Sequence, residues 1–342
     1  MPKNNRAPFG FVKLERPKTS IVFDTYWEFA TKRQDVFFSR INGGYGPWSS
    51  DPILNEFKFT NAYRASDRVS QYLIRNVIYS GNWSLEDTVF RVLLFKLFNK
   101  IETWELLENQ FGEVSLGTFD IDRYDQALEN AMSAGGAIYS AAYIIPSGSK
   151  KKYAGVRKHK FHLLLLDSLI KSKLPMQLKN SSSMDEGFHT LLNVESFGRF
   201  LAYQFITDLN YSEWLNYSET EFVVPGPGAL DGIRKCFTSL GDYSEPDVIK
   251  MMVEEQDLNF ERLGLSFKSI WGRPLQLIDC QNLFCEVDKY SRVAHPDIQG
   301  ISGRTRIKQK FKPKSTAFSM WYPPKWNLNE KICLATREAF AI

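Results

Sequence analysis

Val223-Val224-Pro225-Gly226-Pro227-Gly228-Ala229-Leu230-Asp231-Gly232-Ile233-Arg234-Lys235 is the stretch on which the fold turns. It reads as the second half of a helix-hairpin-helix, a device that grips the DNA backbone. Gly226 and Gly228, one residue apart, let the chain turn with positive φ and bring bare main chain close to a ligand. The helix expected from about Ala229 offers unpaired N–H groups and the positive end of its dipole to a phosphate. Gly232 leaves room for a second helix to pack closely, and Arg234 and Lys235 follow at once. Pro-Gly-Pro-Gly is equally an ordinary loop between two helices, so the rest of the chain has to arbitrate.

The chain has 342 residues, 43% hydrophobic and 14% aromatic, enough for one large domain or two closely packed ones. That composition excludes disorder and collagen-like repeats, and no apolar run reaches the roughly 18–20 residues that span a bilayer. The opening Met1-Pro2-Lys3-Asn4-Asn5-Arg6-Ala7-Pro8 has no apolar signal core, so a cytoplasmic protein is expected. Cys236, Cys280, Cys285 and Cys333 are too few and too scattered for a secreted disulfide framework. Their spacing makes neither a zinc knuckle nor an iron–sulfur site, and no metal or cofactor is expected.

Net charge is only +4, but its distribution is uneven. Between Ile298 and Asn329 there is no Asp or Glu, while Arg304, Arg306, Lys308, Lys310, Lys312 and Lys314 occupy alternate positions. An extended chain places all of them on one side, as a polyanion requires; a solvated basic tail is the alternative. A second cluster, Lys150-Lys151-Lys152 with Arg157, Lys158 and Lys160, reads as a loop and a helix start, with a contribution to the same field as the alternative.

Helical periodicity dominates, over Ser66–Ile78, Leu85–Phe98, Asp122–Ala134, Phe161–Leu169, Ser196–Leu209, Glu245–Glu255 and Asp279–Tyr290. Ser84 before Leu85-Glu86-Asp87 is a plausible N-cap, and Pro246 suits a first turn. Ala137–Ile145 fits a strand or a buried helix. The polar stretch Leu178–Ser183 is the candidate linker. The expected organisation is an N-terminal helical part (1–180), a hairpin-bearing part (181–297) and a basic C-terminal segment (298–342).

Three constellations carry candidate chemistry. Asp279, Asn282, Glu286 and Lys289 fall at helical steps and make one polar stripe; Asp279 serves either as a helix cap or as a reacting carboxylate. Gln204 and Asp208, four residues apart inside Phe200–Tyr211, are structural crosslinks or the floor of a base pocket, since an amide both donates to and accepts from a base edge. In Trp48–Arg68, the aromatics Trp48, Phe59 and Tyr63 can stack a base, with Asn61 beside them, and Arg64 or Arg68 can hold phosphate. The alternative is that Asp67 pairs with Arg64 or Arg68 to fix a loop.

Trp48–Arg68, Phe200–Tyr211, Val223–Gly232 and Ile278–Tyr290 together resemble the helical domain of hydroxymethyldeoxyuridine DNA kinases, a family also called alpha-glutamyl/putrescinyl thymine pyrophosphorylases and met in phages that hypermodify thymine. The resemblance runs from about Arg40 to Arg292. The family is thought to be related to helix-hairpin-helix DNA glycosylases, which implies DNA binding, base flipping and a pocket at the hairpin. In such glycosylases an aspartate after the hairpin faces the target sugar, which implies a catalytic role for Asp279, with Asp208 and Glu286 as the other candidates.

The chain contains no Gly-x-x-x-x-Gly-Lys-Ser/Thr phosphate loop, so phosphorylation is not expected of it. The sequence therefore predicts a mainly α, helix-hairpin-helix glycosylase-like monomer of two packed helical subdomains. It binds duplex DNA carrying modified bases and cleaves the N-glycosidic bond, as suits a defence against phages. Transfer of an amino acid or polyamine onto an activated thymine, and a DNA-binding module without catalysis, are the other two readings.

Overall fold

The computed structural model describes residues 14–43, 46–141, 145–147, 153–312 and 320–332. The fold is mainly helical. In chain order the α-helices are α1 (Ile21–Ile41), α2 (Pro52–Glu56), α3 (Arg68–Tyr72), α4 (Leu85–Phe98), α5 (Ile101–Phe111), α6 (Ile121–Ser133), α7 (Lys158–Lys171), α8 (Leu174–Asn180), α9 (Met184–Leu192), α10 (Arg199–Leu209), α11 (Pro227–Cys236), α12 (Glu245–Glu254), α13 (Gln256–Arg262) and α14 (Leu277–Ala294). Two short strands, β1 (Lys18–Thr19) and β2 (Phe237–Ser239), pair antiparallel. Among the described residues no helix is long and apolar enough to cross a membrane.

Local sequence explains many of the helix ends. Ser84 accepts the N–H of Asp87 at 3.0 Å and opens α4, which Asn99 closes in a left-handed conformation. Ser244 and Asp247 form a reciprocal capping box at the start of α12, with Pro246 in its first turn. Gln276 and Asp279 form another at the start of α14, so that helix begins at Leu277 and Asp279 is its third residue.

Several expected elements take a different form. Ser66–Ile78 is a 3-10 turn over Arg64–Ser66, then α3, then a π-helical stretch over Leu73–Ile78. Ala137–Ile145 is neither strand nor helix over its described residues. Leu178–Ser183 is the end of α8 followed by Ser183, the N-cap of α9.

The hairpin also differs from the expectation. Seventeen residues, Asn210–Gly226, separate α10 from α11, and α10 packs chiefly on α9 and α4. The close partner of α11 is α14. Gly226 has φ −80° and Gly228 is not among the glycines with positive φ. Both positions are needed for space instead of conformation. A Cβ at Gly226 would meet the Phe200 ring at 2.6 Å, and one at Gly228 the Cys285 sulfur at 3.2 Å. Gly232 is the tightest: a Cβ there would collide with the Phe284 carbonyl on α14.

Helix α1 packs across α11 and α14. Its start is clipped there by the Ser20 N–H on the Cys236 carbonyl at 2.8 Å. The Tyr26 hydroxyl donates to the Cys280 carbonyl at 3.1 Å. Tyr26, Trp27 and Phe284 are fully buried in this layer, each stabilising the fold by about 1.5–3 kcal/mol. The buried apolar side chains form one cluster that includes residues from Val22 to Leu328.

Candidate functional site

The segment between α2 and α3 threads between α10 and α14, and α14 grips it with two carboxylates. Glu286 accepts the Thr60 N–H at 3.0 Å, and Asp279 accepts the Arg64 N–H at 2.8 Å. These acids are two helical turns apart, so they lie on one face and meet main-chain donors four residues apart in the segment. The second Asp279 oxygen accepts the Gln276 N–H at 3.0 Å. Asp279 is thus both cap and anchor.

Arg64 is the centre of the site. Its side chain is 4% exposed. It donates to Asp208 at 2.6 Å, to the Tyr211 hydroxyl at 2.9 Å and to Gln204 at 3.2 Å. Lys96, from α4, lies 3.1 Å from the other Asp208 oxygen. Burial opposes ionisation of Asp208, but the Arg64 and Lys96 charges outweigh it and hold its carboxyl below the usual range. Gln204 approaches Gln281 of α14 at 3.5 Å, too long for a strong hydrogen bond.

Asp279 behaves differently. It is 5% exposed, and burial pushes its pKa up to about 6 against two main-chain hydrogen bonds and Arg273. In the same segment, burial and then the nearby Glu286 charge raise Asp67 to about 7, against a hydrogen bond from the Asn61 N–H. Burial also lowers the Lys96 pKa, against the Asp208 charge. Two carboxyl groups raised toward neutrality beside the buried Arg64–Asp208–Lys96 cluster are an arrangement often met at functional sites. No cluster of metal-ligating side chains occurs among the described residues.

The other expected site residues divide. Asp279, Asp208, Gln204 and Arg64 converge, and Tyr63 borders them, its hydroxyl bonded to the Arg273 carbonyl at 2.6 Å. Asn61 holds the segment together, accepting from Arg33 at 2.8 Å and donating to the Ser66 carbonyl at 2.8 Å. Phe59 is buried against Phe29 and Tyr290. Asn282 is half-buried on α14. Trp48 is outside the site, edge-on to Phe311 at 6.0 Å and beneath Arg40. Arg68 is an exposed side chain 3.9 Å from Glu102.

Two expected DNA contacts are already occupied within the fold. Lys235 is buried, 3.0 Å from Asp288, and cannot reach a phosphate as placed. Arg234 is at the surface, paired with Glu245 at 2.9 Å. Lys150–Lys152 lie outside the described residues; of their neighbours, Arg157 pairs with Asp125 and Glu129, Lys160 pairs with Asp122, and Lys158 sits 4.5 Å over the Tyr139 ring. By contrast Arg304, Arg306, Lys308, Lys310 and Lys312 are all exposed; Lys314 lies outside the described residues.

Sequence reasoning missed Lys96, Arg33 and Gln281. Lys96 had a signal, being a cation inside the apolar run Val92–Phe98, where a buried ammonium demands a partner. Nothing in the sequence pairs it with Asp208.

Fold and site together define a mainly helical protein with a buried ionisable cluster and, near the far end of α14, an exposed run of basic residues. Residues 20–300 match the family described as 5-hmdU DNA kinase, helical domain, and the chain belongs to that family. It is 28% identical over 314 residues to the 5-hmdU DNA kinase of Bacillus phage SP10, which takes in 84% of this chain and 48% of that protein. The chain thus spans about half the length of this curated relative. No solved structure matches it.

Proposed function

We propose that this protein binds duplex DNA inside the cell and acts on 5-hydroxymethyl-deoxyuridine, or a base made from it, as part of a phage-type thymine-modification system. The observation that carries the reading is Asp279: a buried carboxyl near neutrality, fixed by two main-chain N–H groups beside Arg64. The name of the phage relative supports the substrate class, and the exposed basic residues Arg304, Arg306 and Lys308 support a DNA partner. Because Asp279 is almost wholly buried, a flipped base reaches it only after the surrounding wall opens.

The favoured chemistry is at the 5-hydroxymethyl group. A base with a pKa of about 6 takes the hydroxyl proton as that oxygen attacks the terminal phosphorus of a nucleoside triphosphate and the diphosphate leaves, or takes the proton of an incoming amine as its nitrogen displaces an already phosphorylated hydroxymethyl oxygen and the phosphate leaves. The second reading is excision, with Asp279 stabilising positive charge on the sugar as the N-glycosidic bond breaks. It is favoured by economy, since the chain has no phosphate loop for a donor and excision needs only water.

One experiment separates the readings. The protein is incubated with duplexes carrying thymine or 5-hydroxymethyluracil, with and without ATP and amine donors. The DNA is then analysed by nucleoside mass spectrometry and alkaline cleavage. A new nucleoside mass supports group addition, and alkali-labile sites support excision. Equal binding of both duplexes with no chemistry on either would overturn the proposal.

A further inference from the structure

A surface groove of about 640 Å³ runs between the Gly303–Gln309 stretch, Lys58 and the C-terminal half of α14. Lys58, Lys289, Arg292, Arg304, Arg306 and Lys308 line it, and no Asp or Glu does. The two cations on α14 are neutralised from behind, Lys289 by Glu286 at 2.6 Å and Arg292 by Asp288. Arg292 also donates to the Arg306 carbonyl at 2.9 Å, which pins the stretch to α14. Upstream, Asp231 of α11 accepts the Ser302 N–H at 2.8 Å. Lys58, Arg304, Arg306 and Lys308 are exposed and have no ion-pair partner among the described residues. Four uncompensated cations in one groove repel one another, and a polyanion relieves that repulsion.

The row of alternate basic residues is therefore split. Lys310 is engaged by Glu56 and sits 4.4 Å over the Phe57 ring, and neither it nor Lys312 lines the groove. The geometry also argues for the kind of occupant. Helix α14 carries Asp279 near its start and Arg292 near its end, about 20 Å apart along the axis at 1.5 Å per residue. A small anion held in the groove would be too distant to react at Asp279. A nucleic-acid strand, rising about 3.4 Å per nucleotide, spans that distance in about six nucleotides.

We infer that this groove seats the sugar-phosphate backbone of duplex DNA through Lys58, Arg304, Arg306 and Lys308, several nucleotides from the base at Asp279, and that Lys310 and Lys312 contribute little. The inference rests on the DNA reading above. It is tested by fluorescence anisotropy of duplex binding across a salt series, using the full chain and variants of matched thermal stability. The groove variant R304Q/R306Q/K308Q should lose at least about 10-fold in affinity, with the salt slope reduced by up to roughly 0.9 per lost contact. Adding K58Q should extend the loss. K310Q/K312Q should stay within about twofold of wild type, and preference among bases should not change, because phosphate contacts do not specify sequence. Equal losses in both variants would overturn the assignment, as would a groove variant that binds DNA normally and loses only inorganic tripolyphosphate. A wild-type protein that binds no duplex at any salt would sink the DNA reading itself.

Discussion

Asp279 Oδ1 accepts the main-chain N–H of Arg64 at 2.8 Å across 215 residues of sequence, joining the first turn of α14 to the centre of the buried ion cluster. The same carboxylate caps its own helix through Gln276. Any reaction at Asp279 is thereby coupled to the position of Arg64 and, through it, to Asp208 and Lys96.

Asp279→Asn should lower turnover by about 10²-fold or more while leaving DNA affinity nearly unchanged. The amide keeps one acceptor but turns a donor toward the Gln276 N–H, so a stability loss of about 1–3 kcal/mol is expected as well. In the wild type, activity should rise as pH climbs through about 6, where Asp279 ionises. A rate profile with the same limb in the variant would place the essential base elsewhere.

Asp208→Asn should be strongly destabilising, by about 3–5 kcal/mol, because it leaves Arg64 and Lys96 buried together without a counter-charge. Lys96→Met in that background should recover part of the loss. Urea denaturation of the two single variants and the double variant measures the coupling. Purely additive effects would mean that Asp208 and Lys96 do not share their charge.

Asp67→Asn addresses pH and stability. The folded carboxyl titrates near 7 because of burial and Glu286, whereas an unfolded Asp titrates near about 3.9. Between those values the folded chain holds a proton that the unfolded chain has released, so this group's contribution falls as pH rises from about 4 to about 7. Asn keeps an acceptor for the Asn61 N–H. The stability of the variant relative to wild type should therefore grow across that window and level off above it. The comparison is made as a difference because burial lowers the pKa of His159 and His162, which pushes the absolute curve the other way. Parallel melting curves at pH 4.5 and 7.5 would remove Asp67 from this role.

Gly232→Ala should lower the melting temperature more than Gly228→Ala. The first Cβ meets the Phe284 main-chain carbonyl, which cannot swing aside, and the second meets the Cys285 sulfur at 3.2 Å. Overpacking of this kind costs about 1–3 kcal/mol. Equal shifts would show that α11 and α14 are not locked at Gly232.

Much of the helical architecture was legible because short-range chemistry sets it. Ser84 and Pro246 act within one turn of their own helix, and an amphipathic period such as that of Asp122–Ala134 repeats locally. Helix α1 escaped because it is buried around most of its circumference, from Val22 and Tyr26 to Arg33 and Gln34, which erases the single apolar stripe that periodicity detects. The glycines of Pro225–Gly232 pointed to a close approach, and their spacing was visible. Their partner, Phe284 of α14, was not.

The sequence by itself determined the mainly helical class, the candidate residues Arg64, Gln204, Asp208 and Asp279, and the exposed basic run, since composition, periodicity and charge order are properties of neighbouring residues. Only the tertiary structure decided which of these meet. Asp208 and Arg64 are 144 residues apart and pair at 2.6 Å, Lys235 spends its charge on Asp288, and Lys310 turns to Glu56 while Arg304, Arg306 and Lys308 face an open groove. A buried charge must find its counter-charge wherever packing brings one, and that pairing is a property of the closed chain.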